Sequence, residues 1–242
     1  MEGKEIILSG GMSTETVVRI GHTVRRTQSK NAPFVHALLT YLESENFSYS
    51  PRFLGIDNGA REVLTFIEGE VPRDIELTVE HKVASIKILK QFHDLVARSK
   101  LYGAEETVCH NDFAPWNIIL DKTGVVVGVI DFDEAAPGKR IDDVTYFLWT
   151  FLELGTANAS DEKQIQDLVE LISAYGQIDK SEFIPSLLRQ QERILKKRQS
   201  MAKLDENPKT RAFSNNAVKR IKQSIDWVGR NSRVIESELA QL

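Results

Sequence analysis

Three polar side chains, His110, Asp112 and Asn117, fall within HNDFAPWN, residues 110 to 117, and the apolar run IIL comes directly after. A carboxylate at Asp112 has the chemistry of a general base, and the amide oxygen of Asn117 is a hard donor suited to a divalent cation. An ordinary surface turn would use the same two residues to bond nearby backbone amides and would need no partner elsewhere. A site requires a second carboxylate close by, and Asp131 stands fourteen residues after Asn117, at the end of VVVGVI. NIIL and VVVGVI flank DKTG, which reads as an antiparallel hairpin with Asn117 and Asp131 at its open end. A simple register sets Leu120 opposite Val125 and Asn117 opposite Gly128, which leaves Asp131 about 10 Å of strand beyond its partner. The preceding loop must then curl back across that mouth. So arranged, oxygens of Asn117 and Asp131 converge on Mg²⁺ of the kind shared with phosphate groups, with Asp112 just outside the metal.

The elements that must hold these residues divide at about residue 68. EIIL, TVVRIG and HTVRR read as short strands, the last two separated by Gly21. Residues 32 to 45 place Phe34, Val35, Leu38, Leu39 and Leu42 on one helical stripe, with Pro33 in the first turn. PRFLGID and REVLTFIEGE read as a hairpin around Asn58-Gly59. A long amphipathic helix is expected over 78 to 99, with Val79, Val83, Ile86, Leu89, Leu95 and Val96 as core positions. Further helical patterns lie near 141 to 154, 161 to 175, 181 to 203 and 214 to 239. KLDENPKT, residues 203 to 210, reads as a mobile loop.

Composition narrows the function classes. The chain has 242 residues, 41% of them hydrophobic, enough for one large domain or two modest lobes. A formal net charge of -4 gives no overall basic field of the sort that nucleic-acid binding requires. Residues 186 to 233 nevertheless hold 13 Lys and Arg against 4 Asp and Glu, which amphipathic helices commonly carry as a solvated face. One cysteine, Cys109, excludes an internal disulfide and suits a reducing compartment. With no secretory h-region and no apolar run long enough to span a bilayer, the expectation is a cytoplasmic protein without a membrane partner.

HNDFAPWN with VIDFDEA after it resembles the catalytic and metal loops of the aminoglycoside phosphotransferase family, small-molecule kinases similar in fold to protein kinases. Asp112 and Asn117 fit its D-x-x-x-x-N pattern, and a tryptophan directly before the asparagine is frequent there. The order of elements fits too. The resemblance implies an α+β, two-lobed protein-kinase-like fold: residues 1 to 68 form a β-rich nucleotide-binding lobe with one helix, and residues 69 to 242 a mainly helical catalytic and acceptor-binding lobe. It implies that Asp112 orients and deprotonates an acceptor hydroxyl, and that Asn117 and Asp131 hold Mg²⁺ against the phosphates of ATP or GTP. Backbone groups at Phe66, Ile67 and Glu68 would meet the adenine edge, and a glycine pair, Gly10 and Gly11, would let amides approach phosphate. His110 would brace the loop; Asp133 fits either a second metal ion or a turn cap. Trp116 and Cys109 read as core.

The pattern also breaks. Relatives carry a lysine on the third strand paired with a glutamate on the first helix. Here TVRR offers Arg25 or Arg26, of which alternation lets only one face the cleft, and Arg25 is assigned to phosphate; Val35 or His36 falls where the glutamate is expected. The leading reading is therefore a Mg²⁺-dependent small-molecule kinase moving the terminal phosphate of ATP or GTP to a hydroxyl acceptor. Its rival is a nucleotide-binding pseudokinase or scaffold without phosphotransfer.

Overall fold

The computed structural model describes residues 4–8, 17–73 and 75–242. The chain forms two compact units, residues 1–138 and 139–242. The first opens with β1 (Ile6–Ile7), β2 (Val18–Ile20), β3 (Thr23–Thr27), helix α1 (Ala32–Ser44), β4 (Phe53–Ile56) and β5 (Arg61–Thr65). The five strands make one antiparallel sheet in the order β1-β2-β3-β5-β4. Pairing of β3 with β5 is non-local: Arg26 lies directly opposite Glu62 and Arg25 opposite Val63. Helix α1 begins with proline in its first turn and buries Val35, Leu38, Leu39 and Leu42, four of the five expected stripe positions.

Next in the chain are helix α2 (Val79–Val96), β6 (Thr107–Cys109), β7 (Ile118–Leu120), β8 (Val126–Val129) and β9 (Ala136–Gly138). Thr78 caps α2 reciprocally with His81, which satisfies amide groups that a helix start leaves unpaired. Ile86, Leu89 and Val96 are buried as expected, whereas Val79 is exposed; Ile88, Phe92 and His93 complete the buried face. β9, absent from the sequence expectation, pairs with β6. Gly69, with φ 142°, lies where an added Cβ would stand 2.3 Å from the Leu120 carbonyl oxygen. Only glycine tolerates that approach, and it lets Glu70 and Leu120 exchange two backbone bonds of 2.9 Å.

The two hairpins share one turn design. Asp57 Oδ1 accepts from the amides of Gly59 and Arg61, and the Asp57 amide donates to the Arg61 carbonyl. Asp121 makes the corresponding bonds with Thr123 and Val125. In each the fourth residue is left-handed: Gly124 at φ 83° and Ala60, not Gly59, at φ 59°. Closing the second turn between Asp121 and Val125 moves the β7–β8 register by one residue, and a bulge between Ile119 and Leu120 moves it by another. Ile118 therefore faces Val129, and the Asn117 carbonyl accepts from the Ile130 amide at 2.9 Å. The expected Asn117–Gly128 pairing is corrected by two residues, and Asp131 follows directly after the residue that pairs with Asn117.

The second unit contains α3 (Arg140–Phe151), α4 (Asp161–Tyr175), α5 (Phe183–Leu204) and α6 (Pro208–Leu239). Its core includes Val144, Phe147, Leu168, Ile172, Leu187, Trp227 and Val228. Asp161 accepts from the Trp227 indole at 2.9 Å and from Asn231 at 3.0 Å, tying α4 to α6. The expected loop at 203 to 210 shrinks to residues 205–207, because Asn207 caps α6 and Pro208 begins it. Among the described residues no helix is long and apolar enough to cross a membrane. Ala60→Gly should raise the stability of the fold by up to about 1 kcal/mol in thermal or denaturant unfolding, since a left-handed Cβ is strained and glycine is not.

Candidate active site

The loop at 110–117 is held from within. His110 is fully buried and its Nδ1 accepts from the Asp112 amide at 3.3 Å, the bracing expected for it. Pro115–Asn117 form a single 3₁₀ turn that leads directly into β7. The Asn117 side-chain amide donates to the Asp112 carbonyl at 2.9 Å and to Asp112 Oδ2 at 3.0 Å. Both amide hydrogens are thereby used on Asp112, and among the described residues Oδ1 of Asn117 accepts from none. The backbone bond from Ile130 to Asn117 sets Asp131 beside it. Asp131 is left-handed at φ 66°, as is Asn111 at φ 63°, a conformation that aspartate and asparagine tolerate better than most residues. The two loops are stitched together: Asn111 donates to the Glu134 carbonyl at 2.9 Å. Asn31, just before α1, donates to the carbonyls of Asp133 at 3.1 Å and Ala135 at 2.8 Å.

A half-buried guanidinium faces these carboxylates. Arg26 donates through Nε to Glu62 Oε1 at 2.5 Å and through both Nη atoms to Asp133, at 2.5 and 3.2 Å; Asp131 lies 3.8 Å away. Burial opposes the charge of Arg26, but Asp133, Glu62 and Asp131 together more than offset it and raise its pKa above the ordinary guanidinium value. Burial also leads in lifting the Asp133 carboxyl above the usual aspartate range; Asp131 and Glu62 add to this while Arg26 works against it. The two directions are consistent: one cation is shared among three carboxylates, so a formal surplus of two negative charges remains. That surplus, with the Asn117 amide oxygen, is an all-oxygen donor set of the kind that suits Mg²⁺. Asn117, Asp131 and Asp133 carry the oxygens that could hold such an ion, those of Asp133 being bonded to Arg26.

The other expected positions fare differently. Arg25 does not join the cluster; its Nε lies 3.4 Å from Asp57, and the strand alternation turns Arg26 instead toward Glu62. The Phe66 amide already donates to the His22 carbonyl at 2.8 Å, whereas the amides of Ile67 and Glu68 make no backbone bond among the described residues. The Glu68 carboxylate pairs with Arg19, whose guanidinium lies 3.7 Å over the Phe66 ring. Gly10 and Gly11 lie outside the described residues. Trp116, expected in the core, is 51% exposed, because the 3₁₀ turn buries Asn117 and leaves Trp116 outward. Cys109 is buried as expected. Glu62 and Asn31 were not singled out by sequence, since each meets its partners only through pairing distant in the chain.

The element order and the paired loops define a kinase-like arrangement, and comparison with known proteins agrees. The phosphotransferase enzyme family model matches residues 88–180, which carry both loops. Trifolitoxin immunity protein from Rhizobium leguminosarum bv. trifolii is 31% identical over 166 residues, 62% of this chain and 63% of that protein, so the match spans less than two thirds of the relative. A microcompartment-associated aminopropanol kinase superposes with a TM-score of 0.66 at 13% identity, covering 96% of this chain and 93% of that one. An aminoglycoside phosphotransferase from Streptomyces rimosus, in complex with ADP and streptomycin, gives 0.57 at 16% identity over 77% and 91% of the two chains. The fold is the α+β protein-kinase-like fold, with the resemblance noted in the sequence upheld by the family match and by these neighbours. Replacing Asn31 by alanine should cost about 1–2 kcal/mol, the scale for a lost bond to buried carbonyls, and should speed amide hydrogen exchange at residues 131–135.

Proposed function

We propose that this chain is a metal-dependent small-molecule kinase that moves the terminal phosphate of ATP or GTP to a hydroxyl of a small acceptor. The observation that supports it best is the Asn117 side chain. It donates both hydrogens to Asp112 and its oxygen meets no donor among the described residues, while the Asn117 carbonyl anchors Ile130, the residue between β8 and Asp131. One residue thus orients a carboxylate on one side and offers a hard donor on the other. Asp112 would align the acceptor hydroxyl and take its proton, its position fixed by Asn117 and by His110 beneath. Asn117 and Asp131, with Asp133 alongside, would hold Mg²⁺, which when bound neutralises the phosphates' charge. Arg26, rather than Arg25, is the guanidinium that reading requires for phosphate. The amides of Ile67 and Glu68, without a backbone bond among the described residues, suit an adenine edge, with the Phe66 carbonyl beside them, and Gly10 and Gly11 would cover the phosphates. In this reading residues 1–68 form the nucleotide lobe and 69–242 the catalytic and acceptor lobe.

The neighbours include an aminopropanol kinase and a protein bound to streptomycin, and the curated relative is a toxin immunity protein. A panel of amino alcohols, aminoglycosides and peptide toxins, read by nucleoside diphosphate release above the acceptor-free background, would test the proposal. Asp112→Asn should lower turnover by about 10²–10⁴-fold with an unchanged melting temperature, and chelation of divalent cations should stop transfer. Nucleotide binding without transfer to any acceptor would favour the pseudokinase instead.

A further inference from the structure

The carboxylate that engages the third-strand cation does not come from the first helix. It is Glu62, on β5, directly across the sheet from Arg26 and only 1% exposed. A carboxylate so buried is costly unless each oxygen is engaged. Here Oε1 accepts from Arg26 Nε at 2.5 Å, and Oε2 accepts from His36 Nε2 at 2.7 Å. His36 stands on α1, and its ring lies flat on Phe53 of β4, with centroids 3.7 Å apart and planes 11° apart. The imidazole is thus fixed by stacking on one strand and by a hydrogen bond to another. Neither partner of Glu62 has freedom to swing away.

The consequence is directional. A guanidinium is a planar fork with five donors, and anchoring its Nε edge leaves both Nη atoms presented on the opposite edge. Those Nη atoms point to Asp133 and Asp131, the metal-loop side of the cluster. A lysine, a single point of charge on a flexible stem, could not be held at one end and offered at the other. Resting on the reading that this chain binds a nucleotide, we propose that Glu62 and His36 are positioning residues that aim the Nη edge of Arg26 at the nucleotide's phosphates. The helix-borne glutamate of relatives is replaced by a strand-borne one, and α1 contributes the histidine that holds it.

Charge alone predicts the opposite of positioning, which makes the idea testable. Removing a negative charge near the phosphates strengthens phosphate binding if Glu62 acts only through its field; losing the anchor weakens it, because Arg26 must then be ordered at the moment of binding. Calorimetric titration of Mg·ADP and Mg·GDP into the full-length protein would measure this for the wild type, Glu62→Gln, His36→Leu and His36→Gln, with melting temperatures recorded alongside. Glu62→Gln and His36→Leu should each weaken binding by about tenfold, and His36→Gln, which retains a donor toward Glu62, should restore most of the loss. If Glu62→Gln fails to fold, the two His36 variants still decide the matter. Dissociation constants unchanged in His36→Leu, or tighter in Glu62→Gln, with only the melting temperatures lowered, would overturn the proposal and leave the pair a purely structural one. A wild type that binds neither nucleotide would overturn the kinase reading itself and this proposal with it.

Discussion

The carbonyl of Asn117 accepts from the amide of Ile130 at the mouth of the β7–β8 hairpin, and the geometry of the site is built outward from that bond. It brings two loops separated in the chain into register and leaves the Asn117 side chain to face Asp112 on one side with its oxygen unspent. The bond exists because the turn closes between Asp121 and Val125 and a bulge absorbs one further residue. A bulge inserts an unpaired residue and re-aims the side chains beyond it, and the residue re-aimed here is Asp131. The hairpin is therefore less a scaffold on which a site is mounted than the device that sets the distance between its parts.

Around this mount, three carboxylates and one guanidinium share a half-buried space. Glu62 is the deepest and is doubly engaged; Asp131 is the most exposed, with 46% of its side chain open to solvent. The gradient has a physical logic. Charge that must never be released is buried and paired, while charge that would meet an incoming cation stays near solvent, where ionisation is cheap. The rise of the Asp133 carboxyl above the ordinary range fits its intermediate position, desolvated by burial yet bound through both oxygens to Arg26.

Much of the fold could be read locally. The stripe on α1, the helix α2 and the four later helices arise from apolar spacing at the helical period, which depends on neighbours three and four residues away. The Asp112-to-Asn117 spacing was legible for the same reason, since a short loop holds its own geometry. Turn chemistry was only half legible: both hairpins reverse where expected, but Asp57 caps its turn so that Ala60, not the adjacent glycine, takes the left-handed position. Trp116 shows the limit of composition, because a large aromatic residue beside a buried strand is exposed once the 3₁₀ turn fixes its direction.

The amino-acid order alone determined the chemistry available: one carboxylate and one amide at fixed spacing, a second carboxylate on the next strand, and arginine in place of lysine. Tertiary structure decided which of two adjacent arginines meets the carboxylates, that Glu62 is its partner and that His36 secures both. The choice between Arg25 and Arg26 depends on strand alternation relative to β5, which pairs with β3 across more than thirty intervening residues. Periodicity reports which residues share a face of one element; only hydrogen bonding between distant elements reports what that face looks upon.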